Sequence, residues 1–572
     1  MIAQRAKKQA TGKTNPVAFG LFAPHNEIVQ LTGAWNDWQP IDMTKDETGH
    51  WRAEVDLPDG EYEYRFIVKS NSPFCLGEMK SVADPTALRY SLDNHENSIV
   101  QVKNGSAIVH DYVWQHDDVP LPSNEKLVIY ELHVGDFRGG EGDTQSEPGT
   151  LVTALDKLDY LRDLGINAIE LMPINEFPGG HSWGYSQHSV YAVENSYGTP
   201  NDLCRFVDEC HARGIRVIHD AVYNHLAPEA PLTQIDYNYW FYENNPDEAA
   251  LSFGPKFNYE HYDPHYNVFP AREYVINALR MWVEQFHIDG IRFDCTRAIK
   301  YFDLLRWFDD EAHSRANFKP FYTIAEHVPQ DSAIASGNGP VDAAWHDTFM
   351  RQLACSTLGV PHHGRDPYNT SEVLRLMNAH EDGFDSNYNT VRYLSNHDEE
   401  RIFFLLGDVA NTFDEAAFRR AKLGASLLLT APGIPMLWMG EELGQPTNKS
   451  MELRPVQWGL LEHEENQGLL NHYRHLIRLR MENDALTSDT FEAAADMPDR
   501  GIIAYKRWAA NGNVVLVAAN LKDEFAGAFT VEEAGLEDGT WKEVVYNYDV
   551  QVTGGVLNDE LAESDVKIYV KQ

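Results

Sequence analysis

The spacing of apolar positions changes character twice along the chain. From residue 17 to 110, short β-forming runs such as "EIVQLTGAW" and "GEYEYRFIV" stand between turn signals such as "PDG", and no helical period is sustained. A β-sandwich is the expected structure here, preceded by a tail at 1–16. From 111 to 485, apolar strands alternate with amphipathic helices. "KLVIYELHV" reads as the first strand, and the Leu151, Ala154, Leu155, Leu158 and Leu161 face of "LVTALDKLDYLRDLG" as the helix after it, stopped by Gly165. "INAIELMP" follows, then "TPNDLCRFVDECHARG", with Thr199 as N-cap, Pro200 at the first helical position and Cys210 in its buried stripe. After "IRVIHDAV" and a short insertion at 226–265 comes the helical pattern of "AREYVINALRMWVEQF". The alternation runs on through "GIRFD", "FYTIAE", "TVRYLSN" and "GIPMLWM".

Such repetition predicts an α/β fold with a parallel sheet, and about eight units predict a closed (β/α)8 TIM barrel. The competitor, a doubly wound sheet, would place a phosphate-binding glycine fingerprint after the first strand, and none is there. Residues 486–572 return to short β runs such as "GIIAYKRW" and "NVVLVAANL", which predict a C-terminal β-sandwich.

Composition narrows the function classes. With 87 acidic against 47 basic residues, a formal charge of -40, the chain lacks the cationic footprint of a nucleic-acid binder. The N-terminal "MIAQRAKKQATGKTNP" is polar and basic without the apolar centre of a signal peptide, and no apolar run is long enough to span a membrane. Five scattered cysteines fit reduced thiols better than a disulfide framework, so a cytoplasmic location is expected.

The polar residues that matter fall at strand ends. "IRVIHD" ends at Asp220, with Asn224 and His225 just beyond; "IRFD" ends at Asp294, "FYTIAE" at Glu326, and "TVRYLSNHD" at His397 and Asp398. One carboxylate at a strand end is unremarkable, because strand ends meet solvent. Four of them converging on one barrel mouth suit glycoside hydrolysis, in which one carboxylate attacks the sugar and a carboxylic acid protonates the leaving oxygen. Arg292 lies two residues before Asp294, on the same face of the strand, where its guanidinium can hold that carboxylate ionised.

"DAVYNH", "GIRFD", "IAEH" and "SNHDE", in this order and each on a predicted strand end, resemble the four main motifs of the α-amylase family of glycoside hydrolases, and "FGPKFNYEH" is similar to a further family motif in the insertion. The resemblance implies Asp294 as nucleophile, Glu326 as general acid/base and Asp398 as the third carboxylate, gripping sugar hydroxyls. It implies Tyr185 of "WGY" as a stacking aromatic, His225 and His397 as sugar-binding residues, and Asp220 as structural support. "GAWNDW", "GHW", "GEYEYRFIV" and "ADP" resemble the β-sandwich that precedes the barrel in branching and debranching members. Trp35 and Trp38 are candidates for a second glucan-binding platform there, or else for packing in the sandwich.

Cys295 and Arg297 depart from the common family pattern after the nucleophile. Asn224 matches a calcium ligand in some members, but one ligand does not make a site and the insertion is short, so no cofactor is expected to be required. The expected partner is an α-glucan polysaccharide or maltooligosaccharide, with no nucleic acid and no membrane. The expected reaction is retaining hydrolysis of α-1,4 bonds in starch, glycogen or maltodextrins. The alternatives are a glucan branching enzyme forming α-1,6 bonds, hydrolysis at α-1,6 or trehalose-linked ends, and a non-catalytic glucan-binding protein.

Overall fold

A computed structural model of the chain describes residues 14–92, 97–139, 147–317, 319–532 and 535–571. Residues 1–13 of the expected tail lie outside the described residues. The first strand, Asn15–Phe22, buries Val17, Phe19 and Leu21 and exposes the residues between them, which is the period of a half-buried strand. It pairs antiparallel with His50–Leu57 in one small sheet. Val29–Gly33, Gly60–Lys69 and Ser98–Lys103 form the spine of the sheet that faces it.

Eight parallel strands then close a barrel: β1 (Ile129–Leu132), β2 (Ala168–Leu171), β3 (Arg216–Ala221), β4 (Gly290–Phe293), β5 (Tyr322–Ala325), β6 (Ala343–Trp345), β7 (Thr390–Arg392) and β8 (Ile434–Trp438), with β8 pairing β1. Every residue of these strands is buried. Side chains on one face fill the barrel and those on the other meet the surrounding helices, so the strands read as continuous apolar runs. Helix Pro200–His211 starts at Thr199, whose side chain accepts from the Asp202 amide while Asp202 caps the Thr199 amide in return. The helix expected over Leu151–Leu164 is instead broken by a 3-10 turn at Leu155–Lys157. Thr153 turns its hydroxyl to the Thr150 and Arg138 carbonyls, a side-chain bond that competes with a regular helical start.

The N-terminal sandwich is docked on the barrel by specific contacts. Asn26 Nδ2 donates to the Ile235 carbonyl at 3.1 Å, and Tyr274 Oη and Ser189 Oγ both donate to the Pro85 carbonyl, at 2.7 and 2.8 Å. Asp84 of the "ADP" motif accepts from Tyr64 Oη at 2.7 Å, fixing that turn to the sandwich interior. One apolar core runs through sandwich and barrel, and a smaller one fills the C-terminal sheets around Trp541. Those comprise a six-stranded sheet and a two-stranded one. They are tied to the barrel by the buried Arg507, which donates to the Thr430, Leu486, Ser488 and Thr490 carbonyls. No described helix is long and apolar enough to cross a membrane.

Candidate active site

The C-terminal ends of the strands meet in a cavity of about 360 Å³, lined by Trp183, Tyr185, His225, Phe253, Asp294, Cys295, Glu326, His397, Asp398 and Met451 among others. Strand β4 supplies its central group. Arg292 is fully buried, and its Nη1 donates to Asp220 Oδ1 at 2.6 Å and to Asp294 Oδ1 at 3.1 Å. Nη2 of the same side chain donates to Glu326 Oε2 at 2.8 Å. A lone buried charge would be costly, and the planar guanidinium offsets that cost by pairing with three carboxylates at once. Its carbon also lies 4.3 Å from the Trp345 ring centroid, so an aromatic face closes the remaining side.

The chain leaves β4 sharply. Cys295 adopts φ 41°, a left-handed conformation uncommon for a side chain of its size. The turn points its amide at Glu326 Oε2, 2.8 Å away, while Thr296 Oγ1 and N donate to the Glu326 carbonyl. Glu326 is thus held by β4 and the loop after it, although it follows β5. Burial pushes the Cys295 thiol up to about 12, which leaves it an unreactive neutral group.

Burial likewise pushes the Asp294 carboxyl above its ordinary value; Arg292 pulls it down, and Glu326, Asp220 and Asp398 push it up again. Tyr185 donates its hydroxyl to the other oxygen of Asp220 at 2.6 Å, and its ring stacks on that of His397 with centroids 5.0 Å apart and planes at 17°. Asp220 therefore links the aromatic wall to Arg292. Burial would lower His397, but Asp398 at 3.4 Å and Glu131 at 2.7 Å outweigh it and raise the imidazole to about 9. His397 is a cation at neutral pH. Asp398 itself is half exposed at the mouth, with its amide on Asn396 Oδ1.

Asp220, Tyr185, Arg292, Asp294, Glu326, His397 and Asp398 are thus brought into one network. His225 lines the same cavity, but its Nε2 donates to the Tyr185 carbonyl at 2.8 Å, its Nδ1 is buried without a partner, and burial lowers it to about 4. Asn224 is buried nearby in sequence with Oδ1 unpartnered. Among the described residues, the one group of three His, Cys, Asp or Glu side chains at metal-ligand spacing is Asp309, His313 and Asp342, which does not accompany Asn224. In the sandwich, Trp35 packs on Phe19 with centroids 5.2 Å apart, while Trp38 is 37% exposed. Trp38 is the more exposed of the two indoles.

Two acids on strand interiors were missed by attention to strand ends. Glu131 of β1 accepts from both the Nδ1 and the amide of His397, at 2.7 and 3.1 Å. Glu170 lies beside it in register on β2, fully buried, with neither oxygen hydrogen-bonded among the described residues. Burial, with Glu131 adding to it, pushes the Glu170 carboxyl well above its ordinary value. A charged residue inside an apolar strand, the feature that marks Arg292, was the signal for both.

Residues 131–459 match the family described as alpha amylase, catalytic domain, and residues 6–87 match carbohydrate-binding module 48, the isoamylase N-terminal domain. A malto-oligosyltrehalose trehalohydrolase of Saccharolobus solfataricus is 28% identical over 75% of this chain and 74% of its own length. A 1,4-alpha-glucan branching enzyme of Vibrio cholerae is 29% identical over 91% of this chain and 74% of its own. Among solved structures, a pullulanase from Anoxybacillus sp. LM18-11 in complex with maltotriose superposes with a TM-score of 0.81 at 19% identity, covering 98% of this chain and 85% of that one. That likeness speaks to the fold alone. The family match spans more than half of the chain and contains the whole strand-end network, and the chain is therefore an enzyme of the α-amylase family.

Proposed function

We propose that the chain is a retaining α-glucan-active enzyme that cleaves α-1,4-glucosidic bonds in starch, glycogen or maltodextrins. The observation that carries this reading is that a single guanidinium, Arg292, holds both Asp294 and Glu326. Two carboxyl groups on one such fork are kept close, as double displacement requires at about 5 Å, rather than spread to admit a water between them.

Asp294 is the nucleophile. Its carboxylate attacks the anomeric carbon while the bond to the leaving oxygen breaks and Glu326 gives that oxygen its proton. Glu326 Oε2 is occupied by Arg292 and the Cys295 amide, which leaves Oε1 to carry the proton. In the second step Glu326 takes a proton from the incoming water, whose oxygen displaces Asp294. Asp398 and the cationic His397 grip hydroxyls of the distorted ring, the Tyr185 ring packs against its face, and Asp220 supports Tyr185 and Arg292. The sandwich, with Trp38 outward, provides a second glucan contact.

A second reading, transfer of the glycosyl unit to a sugar hydroxyl to form α-1,6 branches, draws on the branching enzymes among the relatives. Both readings share the glycosyl-enzyme and differ in the acceptor. Incubation with amylose and with maltooligosaccharides, free or trehalose-capped, distinguishes them. Hydrolysis releases reducing ends or free trehalose in step with substrate loss. Transfer leaves reducing ends constant and builds α-1,6 linkages. No turnover of any glucan contradicts both.

A further inference from the structure

Where the barrel meets the C-terminal sheets lies a cavity of about 370 Å³ that shares no lining residue with the catalytic one. Helix Asp414–Thr430 lines it with Arg419 and Lys422, helix Glu464–Glu482 with His472 and His475, and the C-terminal chain with Glu563 and Asp565. Lys422 is half-buried, and its ammonium has no hydrogen-bond or ion-pair partner among the described residues. A lysine commonly lays its stem on apolar surface and keeps the charged head in water. Here the head is wedged between the helices, because a Cβ on Gly468 of the second helix would stand only 3.8 Å from Lys422 Nζ. Burial lowers the ammonium, and Glu415 opposes that shift. The unpaired charge reaches His472, whose Nε2 shares a 2.8 Å hydrogen bond with Ser426 Oγ: burial first, then Lys422, pushes that imidazole down to about 3. Arg419 Nε is likewise buried without a partner, although its Nη1 stands 3.3 Å from Glu415. On the facing wall, Asp565 is engaged by Tyr546 Oη at 2.6 Å and by the Ala562 amide at 3.1 Å, whereas Glu563 has no partner among the described residues.

In a chain with 87 acidic residues a carboxylate for Lys422 would be easy to supply, and an unpaired, partly desolvated ammonium costs stability. An oxyanion held between Lys422 and Arg419 offsets that cost, and phosphate suits such a pair of cations. The facing Glu563 carboxylate accepts hydroxyl groups and repels a second anion. We propose that this cavity binds a small phosphate monoester that carries hydroxyls, a hexose monophosphate by size, with its phosphate on Lys422 and Arg419 and its ring hydroxyls on Glu563. The volume is that of a small-molecule site rather than of a single ion. Such a ligand bridges two barrel helices and the C-terminal sheets, and the site stands independently of the glucan reading above.

The test follows binding of glucose 6-phosphate, inorganic phosphate and glucose to the full chain by calorimetry and melting temperature, with ionic strength held constant by chloride. Glucose 6-phosphate should bind saturably at roughly millimolar concentration or below and raise the melting temperature, and inorganic phosphate should bind roughly tenfold more weakly. Lys422→Met should weaken both phosphates at least about tenfold, and any response to glucose should be the same in this variant as in wild type. Arg419→Gln should act in the same direction at roughly threefold, and it carries the test if Lys422→Met does not fold. Glu563→Ala should abolish the preference for the hexose ester without weakening inorganic phosphate. Absence of saturable binding of either phosphate up to about 10 mM, or unchanged binding in folded Lys422→Met, overturns the site. Equal affinity for the two phosphates, or a preference that survives Glu563→Ala, overturns the hydroxylated ligand.

Discussion

The Arg292 guanidinium and the Glu326 carboxylate meet at 2.8 Å across two neighbouring strands, and the same guanidinium reaches Asp294 at 3.1 Å and Asp220 at 2.6 Å. The proposed acid/base, the nucleophile and the support residue are thereby positioned by one side chain. Asp294 is buried and pushed toward its neutral form, a poor state for a nucleophile, and the Arg292 charge is what chiefly opposes that push.

Replacing that charge should therefore act through Asp294 as well as through geometry. Arg292→Gln should lower kcat by at least about a hundredfold. With the opposing cation gone, Asp294 rises further above its ordinary value, so the acidic limb of the kcat/KM profile should move to higher pH. An acidic limb that stays in place would detach Arg292 from the ionisation of Asp294.

His397 is predicted to make stability depend on pH on the alkaline side. Its folded value of about 9 lies above the ordinary imidazole value, so the stability it contributes is complete below that ordinary value and is lost as pH rises through about 9. Glu131→Gln removes one of the two anions that raise it. Unfolding measured against pH should then show the variant losing stability at a lower pH than wild type, and kcat should fall roughly tenfold at neutral pH because the imidazole loses the partner that holds it.

The two indoles of "GAWNDW" should separate in experiment. Trp35 packs against Phe19 and Tyr62, and the absence of a Cβ at Gly33 leaves room for its ring. Trp35→Ala should cost about 2 to 3 kcal/mol of stability, toward the low end for a large core aromatic because the ring is partly buried. Trp38, outward on a residue with φ 62°, should be removable at little cost in stability while glycogen retention in affinity electrophoresis falls. Equal destabilisation by both changes would place Trp38 in the sandwich core as well.

Much of this arrangement is legible in the chain because parallel barrel strands are buried on both faces. "IRVIHD" and "GIRFD" stand out as apolar runs that end in acids. Strand β6 escaped notice, since Ala343–Trp345 has three residues and two are alanine, too little for a periodicity to register. Trp35 and Trp38 are three apart in sequence, yet one points in and the other out, because the left-handed backbone at Asp37 and Trp38 reverses the direction that spacing alone suggests. Phe253 and Met451 lie almost two hundred residues apart on separate loops; their shared cavity depends on contacts such as Lys256 with Ala298 that no local pattern encodes. Glu131 and Glu170 were visible in principle, as acids inside strands, by the reasoning that singled out Arg292.

The most direct measurement is the identity of the residue that becomes glycosylated. A fluorinated α-glucosyl fluoride forms a glycosyl-enzyme quickly and releases it slowly, so the labelled peptide can be sequenced by mass spectrometry. One fluoroglucosyl unit is expected on Asp294, in the peptide containing "GIRFDCTR", and no label in Asp294→Ala. A label on Glu326 or Asp398, or a first product released with inverted anomeric configuration, would contradict it.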